Sequence, residues 1–162
     1  MNVRRLQLID DHSVAPATGP AIRIAIATQD MKRLDAHFGS ARKFAAFDVT
    51  ADAASFIEAV GFDDVSDEGG KHKEEGDDRI TPKVDALKGV HLLFVRAIGG
   101  PAAAKVVRAG MHPIKVADVQ PIDEVIGRVQ TMLKGVPPPW LRKVLGQAGL
   151  ISKPSFAEEE VP

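Results

Sequence analysis

The residue types best suited to chemistry sit in one stretch, Asp35-Ala36-His37-Phe38-Gly39-Ser40-Ala41-Arg42. His37 can donate or accept a hydrogen bond, titrate, or bind a metal near neutral pH. Gly39 permits a backbone angle that other residues resist, or a close backbone approach to a ligand. Ser40 adds a small hydroxyl, and Arg42 and Lys43 add positive charge. The stretch lies between two apolar runs, 22–28 and 44–49, that read as strands. The same residues also fit a tight turn whose histidine bonds a neighbouring carbonyl, because a lone H-F-G is a weak signal.

A second stretch, Arg96-Ala97-Ile98-Gly99-Gly100-Pro101, follows another apolar run at 90–95. Gly-Gly-Pro opens a helix, and a helix N-terminus turns free N–H groups toward an anion. Turn geometry alone also accounts for this pattern. Arg96 taken by itself is an ordinary surface cation. The functional reading rests on the two stretches meeting in space.

Periodicity names the elements that must bring them together. Strands are expected at 22–28, 44–49, 54–62, 90–95 and 114–116, and a helical turn at 29–34. A short helix opens at Thr81-Pro82 and ends near Lys88-Gly89; a second runs from Pro101 to Ala109. In a third, Ile122, Val125, Ile126, Val129, Met132 and Leu133 share one face, with Pro121 before it and Gly135 after it. The first three strands have short connections and suit an antiparallel meander. The later two arrive through helical crossovers and should run parallel to the first.

The expected fold is therefore α/β: three layers, with a five-stranded mixed sheet in the order 3-2-1-4-5 and flanking helices. That order sets strands one and four side by side, with their carboxyl ends at one edge. The strand order reverses there, which is where open α/β sheets bind ligands. The expected binding set is His37, Phe38, Gly39, Ser40, Arg42, Lys43, Arg96, Gly99 and Gly100.

Composition narrows the function classes. The chain has 162 residues, enough for one domain with a sizeable core. A net charge of −1 and the absence of tyrosine argue against a nucleic-acid partner. There is no cysteine, so disulfides and thiolate metal sites are excluded. No long apolar segment follows the N-terminus, so neither a signal peptide nor a membrane span is expected, and the cytoplasm is the expected compartment. Residues 1–20 read as an N-terminal arm and 21–136 as the α/β domain. Residues 63–79 read as an acidic flexible loop within it, with His72 a solvated histidine. Residues 137–149 read as an amphipathic helix and 150–162 as a disordered tail. His91 is expected to be packed or hydrogen-bonded.

Ile24-Ala25-Ile26-Ala27-Thr28, Asp35-Ala36-His37-Phe38-Gly39-Ser40-Ala41 and Arg96-Ala97-Ile98-Gly99-Gly100-Pro101-Ala102-Ala103 together resemble the nitrogenase iron–molybdenum cofactor biosynthesis family. The D-x-H-F-G motif is specific to that family, and the resemblance spans residues 4 to 147. It implies a ribonuclease-H-like fold and a place in nitrogen fixation. It implies no catalysis, but transient binding of an iron–sulfur precursor of the cofactor, the NifB product. Such a metallocluster carrier would take its cargo from NifB and pass it to the NifEN scaffold. The family's histidine maps onto His37, which becomes the implied metal ligand, and imidazole suits iron. A monomer or weak homo-oligomer is the expected state.

Three rival readings have sequence signatures. A nuclease of the ribonuclease-H type needs a carboxylate in the first strand, and 22–28 has none. A small-anion or nucleotide-binding regulatory module would use the same glycine loop, although no Walker-type lysine motif or dinucleotide fingerprint is present. A scaffolding protein would act through the acidic loop and the C-terminal helix.

Overall fold

The computed structural model describes residues 3–7, 21–62, 80–147 and 149. The elements of the first half are β1 (Val3–Gln7), β2 (Ile22–Thr28), β3 (Arg33–Leu34), β4 (Lys43–Val49) and β5 (Ala54–Phe62). Then come α1 (Ile80–Ala86), β6 (Leu92–Val95), α2 (Gly100–Arg108), β7 (His112–Lys115), β8 (Gln120–Pro121), α3 (Ile122–Lys134) and α4 (Pro139–Gln147). The main sheet has the order β1-β5-β4-β2-β6-β7, and β3 pairs with β8 in a separate ribbon. β2, β4, β5 and β1 are joined by antiparallel pairs; β2, β6 and β7 by parallel ones.

β2 is central because both of its faces are apolar. Its isoleucines and alanines alternate, and every residue except Arg23 is buried. β6 is buried throughout as well, as strands covered on both sides must be. α3 adds Ile122, Val125 and Val129 to the core, and α4 adds Leu141 and Leu145. Asp123 and Glu124 in the first turn of α3 and Lys134 in its last complement the helix dipole. Arg23 is tolerated in the sheet because Asp48, directly opposite on β4, takes two of its hydrogen bonds at 2.8 and 3.1 Å.

Three expectations need correction. The sheet has six strands, not five, because Val3–Gln7, read as part of an arm, pairs with β5. The outer edge of β5 offers unpaired backbone groups, and backbone pairing outweighs the polar character of that stretch. Residues 29–34 are not a helical turn. The Asp30 carboxylate accepts the N–H groups of Lys32 and Arg33, at 2.8 and 2.9 Å, and Met31 is left-handed with φ 63°. A short acidic side chain has competed with the helix for its backbone donors. The last strand lies at 112–115 rather than 114–116. It is an edge strand, and an edge accommodates Pro113. The acidic loop at 63–79 and the tail at 150–162 lie outside the described residues, as does most of the arm. Among the described residues, no helix is long and apolar enough to cross a membrane.

Candidate functional site

The two stretches meet. β2 and β6 are adjacent and parallel, so both loops leave from one edge. Beyond that edge the Phe38 N–H donates to the Ala97 carbonyl at 2.8 Å, and the Arg96 N–H donates to the Ala36 carbonyl at 2.9 Å. These bonds extend the pairing past the strand ends and hold His37 between them.

Local chemistry shapes the first loop. The Asp35 carboxylate accepts the Gln29 N–H at 2.8 Å. Gln29 reaches across with both ends of its amide, donating to the Ser40 carbonyl at 3.0 Å and accepting the Arg42 N–H at 2.8 Å. The Ala41 N–H closes the turn on the His37 carbonyl at 3.0 Å. Asp35 therefore works on the backbone. Gly39 is not among the residues with positive φ, so the loop makes no left-handed demand there.

Phe38 points inward and is 1% exposed. Its ring lies 5.7 Å from Phe44, which lies 5.8 Å from Phe62. Full burial of such a side chain contributes about 2 kcal/mol. Phe38 anchors the loop; its ring has no surface left for a ligand. Ser40 is also buried.

Lys83 lies beneath the loop with no exposed surface. Its ammonium donates to the Phe38 carbonyl at 2.9 Å and to the Gly39 carbonyl at 2.6 Å. It also lies 5.6 to 6.0 Å from the rings of Phe38, Phe44 and Phe62, within cation–π range. Neither Lys83 nor Gln29 belongs to the set read from the sequence. A signal for Lys83 exists: Ile80, Lys83, Val84 and Leu87 have the i, i+3, i+4, i+7 spacing of an inward face.

His37 is half-buried. Among the described residues, no group hydrogen-bonds its imidazole. This differs from His91, whose Nδ1 accepts the Arg23 N–H at 2.9 Å. The tight-turn reading needed such a bond at His37.

The cations share the same edge. Lys43 stands opposite Thr28, the last residue of β2, and its ammonium lies 3.3 Å from the Gln29 carbonyl. Arg42 is exposed. The Arg96 guanidinium donates to the Ala117 carbonyl at 2.7 and 3.3 Å. None of the three forms an ion pair among the described residues. Gly99 and Gly100 are exposed at the start of α2, and a Cβ on either would meet nothing within 4 Å. Gly99 has an ordinary φ of −73°. Neither crowding within the chain nor backbone angle requires glycine at Gly99. Among the described residues, no three histidine, cysteine or carboxylate side chains group as a metal site. Among the described residues, His37 has no cluster of further metal-ligating side chains grouped with it as a site.

A family model described as dinitrogenase iron-molybdenum cofactor matches residues 20–132. The chain belongs to the dinitrogenase iron–molybdenum cofactor family. Both loops of the site fall inside the matched span. Relatives covered over nearly their full length include NifX proteins. The chain is 61% identical over 159 residues to Protein NifX of Sinorhizobium fredii (strain NBRC 101917 / NGR234), covering 98% of this chain and 99% of that one. It is 49% identical over 162 residues to Protein NifX of Rhodobacter capsulatus, covering 98% and 99%. It is also 24% identical to the FeMo cofactor biosynthesis protein NifB of Bradyrhizobium diazoefficiens, over 74% of this chain but 26% of that one. The crystal structure of PH0822 shares the fold, with a TM-score of 0.50 and 23% identity, covering 68% of this chain and 89% of that one. These matches support a role in iron–molybdenum cofactor biosynthesis.

Proposed function

We propose that this protein is a non-catalytic carrier, built on a ribonuclease-H-like framework, that holds an iron–sulfur precursor of the iron–molybdenum cofactor. Its cargo is the NifB product, its partners are NifB and NifEN, and its setting is the cytoplasm of a nitrogen-fixing cell. The observation that carries this reading is the half-buried His37 imidazole, without a partner among the described residues and fixed between two interlocked loops. A neutral imidazole there offers a lone pair to an exposed iron.

The surroundings suit an anionic cargo. Arg42, Lys43 and Arg96 supply charge that no carboxylate among the described residues neutralises. Gly99 and Gly100 leave open space where the free N–H groups of α2 begin. A single imidazole ligand holds a cluster loosely, as a protein that must hand it on requires. The test is anaerobic incubation with the NifB product, followed by iron analysis and absorption spectroscopy of the re-isolated protein. Bound iron that follows His37 supports the carrier. Equal iron retention in His37→Ala overturns the ligand assignment, and tighter binding of nucleotides than of the cluster would favour the small-anion module.

A further inference from the structure

A second site is built at the opposite edge of the sheet. We propose that the cavity beneath α4 binds a small organic carboxylate with a flat or apolar body. The cavity has a volume of about 430 Å³, within the range of small-molecule sites. It lies where β6 and β7 begin, whereas the His37 loop lies where β2 and β6 end.

Its walls come from two directions. Trp140, Lys143, Val144 and Gln147 line it from α4, at the i, i+3, i+4, i+7 spacing of one helix flank. The neighbouring flank carries Leu141 and Leu145 into the core, so the helix is held in place while these four residues face the cavity. Val107 and Met111 supply apolar wall from the end of α2 and the turn after it, with His91 and His112 at the strand starts. The His112 ring stacks on Trp140, with centroids 4.7 Å apart and planes 11° from parallel. A flat aromatic surface is thus part of the wall.

The polar groups favour an acceptor. His91 Nδ1 accepts the Arg23 N–H at 2.9 Å; in the neutral ring the proton therefore sits on Nε2, a donor. Among the described residues, no acceptor takes up the Trp140 indole N–H or the Lys143 ammonium, and no carboxylate lines the cavity. Backbone donors nearby are used: the Met111 N–H goes to the Val106 carbonyl, and the His112 N–H to the His91 carbonyl. Lys143, Trp140 and His91 thus bring an ammonium, an indole N–H and an imidazole N–H to the lining of one apolar-walled cavity, with no acceptor for them among the described residues beyond what is named above. A carboxylate is the complementary group, since hydrogen bonds to a charged acceptor are about twice as strong as neutral ones.

Trp140 is the only tryptophan, so its fluorescence reports the site directly and without the iron–sulfur cargo. The full-length protein would be titrated with benzoate and with neutral benzamide. Saturable quenching by benzoate, at least about tenfold tighter than by benzamide, is the expected result. Lys143→Met, an exposed substitution that leaves the packing intact, should remove most of that preference. His112→Gln tests the stacked wall, with amide spectra around Met111 confirming that the variant is folded. Absence of a saturable signal from either probe, or unchanged benzoate affinity in folded Lys143→Met, overturns the proposal.

Discussion

The Lys83 ammonium donates to the Gly39 carbonyl at 2.6 Å, joining α1 to the loop that presents His37. A lysine with no exposed surface loses its hydration on folding, a loss that hydrogen bonds and aromatic faces offset. Its second bond, to the Phe38 carbonyl, makes it the fastener of two successive peptide groups. The first prediction follows. Lys83→Met keeps the bulk but takes the donor from the buried Phe38 carbonyl and the part-buried Gly39 carbonyl, and should cost about 2 to 3 kcal/mol. Thermal unfolding measures the loss, and hydrogen exchange at the Phe38 and Ala41 amides should quicken more than exchange in β2. Uniform exchange changes across the sheet would make Lys83 a general core residue rather than the fastener of this loop.

His37 should behave in the opposite way. Its imidazole makes no hydrogen bond within the described chain, so His37→Ala should shift the melting temperature little. Cluster affinity should fall on the order of tenfold or more, equivalent to about 1.4 kcal/mol. Melting and cluster titration on the same purified variant separate the roles: a lower melting temperature with unchanged affinity would return His37 to a structural part.

Much of this arrangement is legible from the chain alone, for physical reasons. The isoleucine–alanine run of β2 has no reason to exist except burial on both faces. The short connections around Asp52 allow only antiparallel neighbours. Together with the helical crossover that sets β6 parallel beside β2, those two facts bring the His37 and Arg96 loops to one edge. Lys83 is legible only in part: its spacing with Ile80, Val84 and Leu87 places it on the inward face, but its charge argues for solvent until the three phenylalanines around it are in place. Gln29 is hidden for a similar reason, since its amide matters only once Ser40 and Arg42 have folded back toward it. Asp30 illustrates the limit of propensity: one carboxylate capturing two N–H groups turns an expected helical turn into a bend leading to β3.

Acid sensitivity should come from the far edge of the sheet. Burial, and then the charge of Arg23, hold the His91 imidazole below its ordinary value of 6.5, with Asp48 opposing. Burial lowers His112 in the same direction. The unfolded chain therefore binds these protons more readily than the folded one. The stabilisation is complete above pH 6.5 and is lost as the pH falls through the lower folded values. Melting temperature measured from pH 8 downward should decline on the acid side, and His91→Gln with His112→Gln should flatten that decline. An acid limb of unchanged steepness in the double variant would assign the sensitivity to the carboxylates instead.

The three cations at the His37 edge allow a sharper separation, because the structure gives them different duties. Arg42 is exposed and its guanidinium has no partner among the described residues. Removing it should therefore affect an anionic cargo and little else. Arg96 donates to the Ala117 carbonyl, so Arg96→Ala also loosens the chain after β7 and should lower the melting temperature slightly. Lys43 touches the Gln29 carbonyl and stands between these cases. For a partly exposed charge near an anion, each substitution should cost about 1 kcal/mol of binding, a factor of about five. Salt should erase most of the Arg42 effect, since exposed charges are screened within about 10 Å at 0.1 M ionic strength. Cluster titrations at low and high salt, on Arg42→Ala and on the triple alanine variant, measure this directly. If both variants bind like the wild type at low salt, the cargo does not sit at this edge. If they weaken equally at both salt concentrations, the residues act by shaping the loop rather than by their charge.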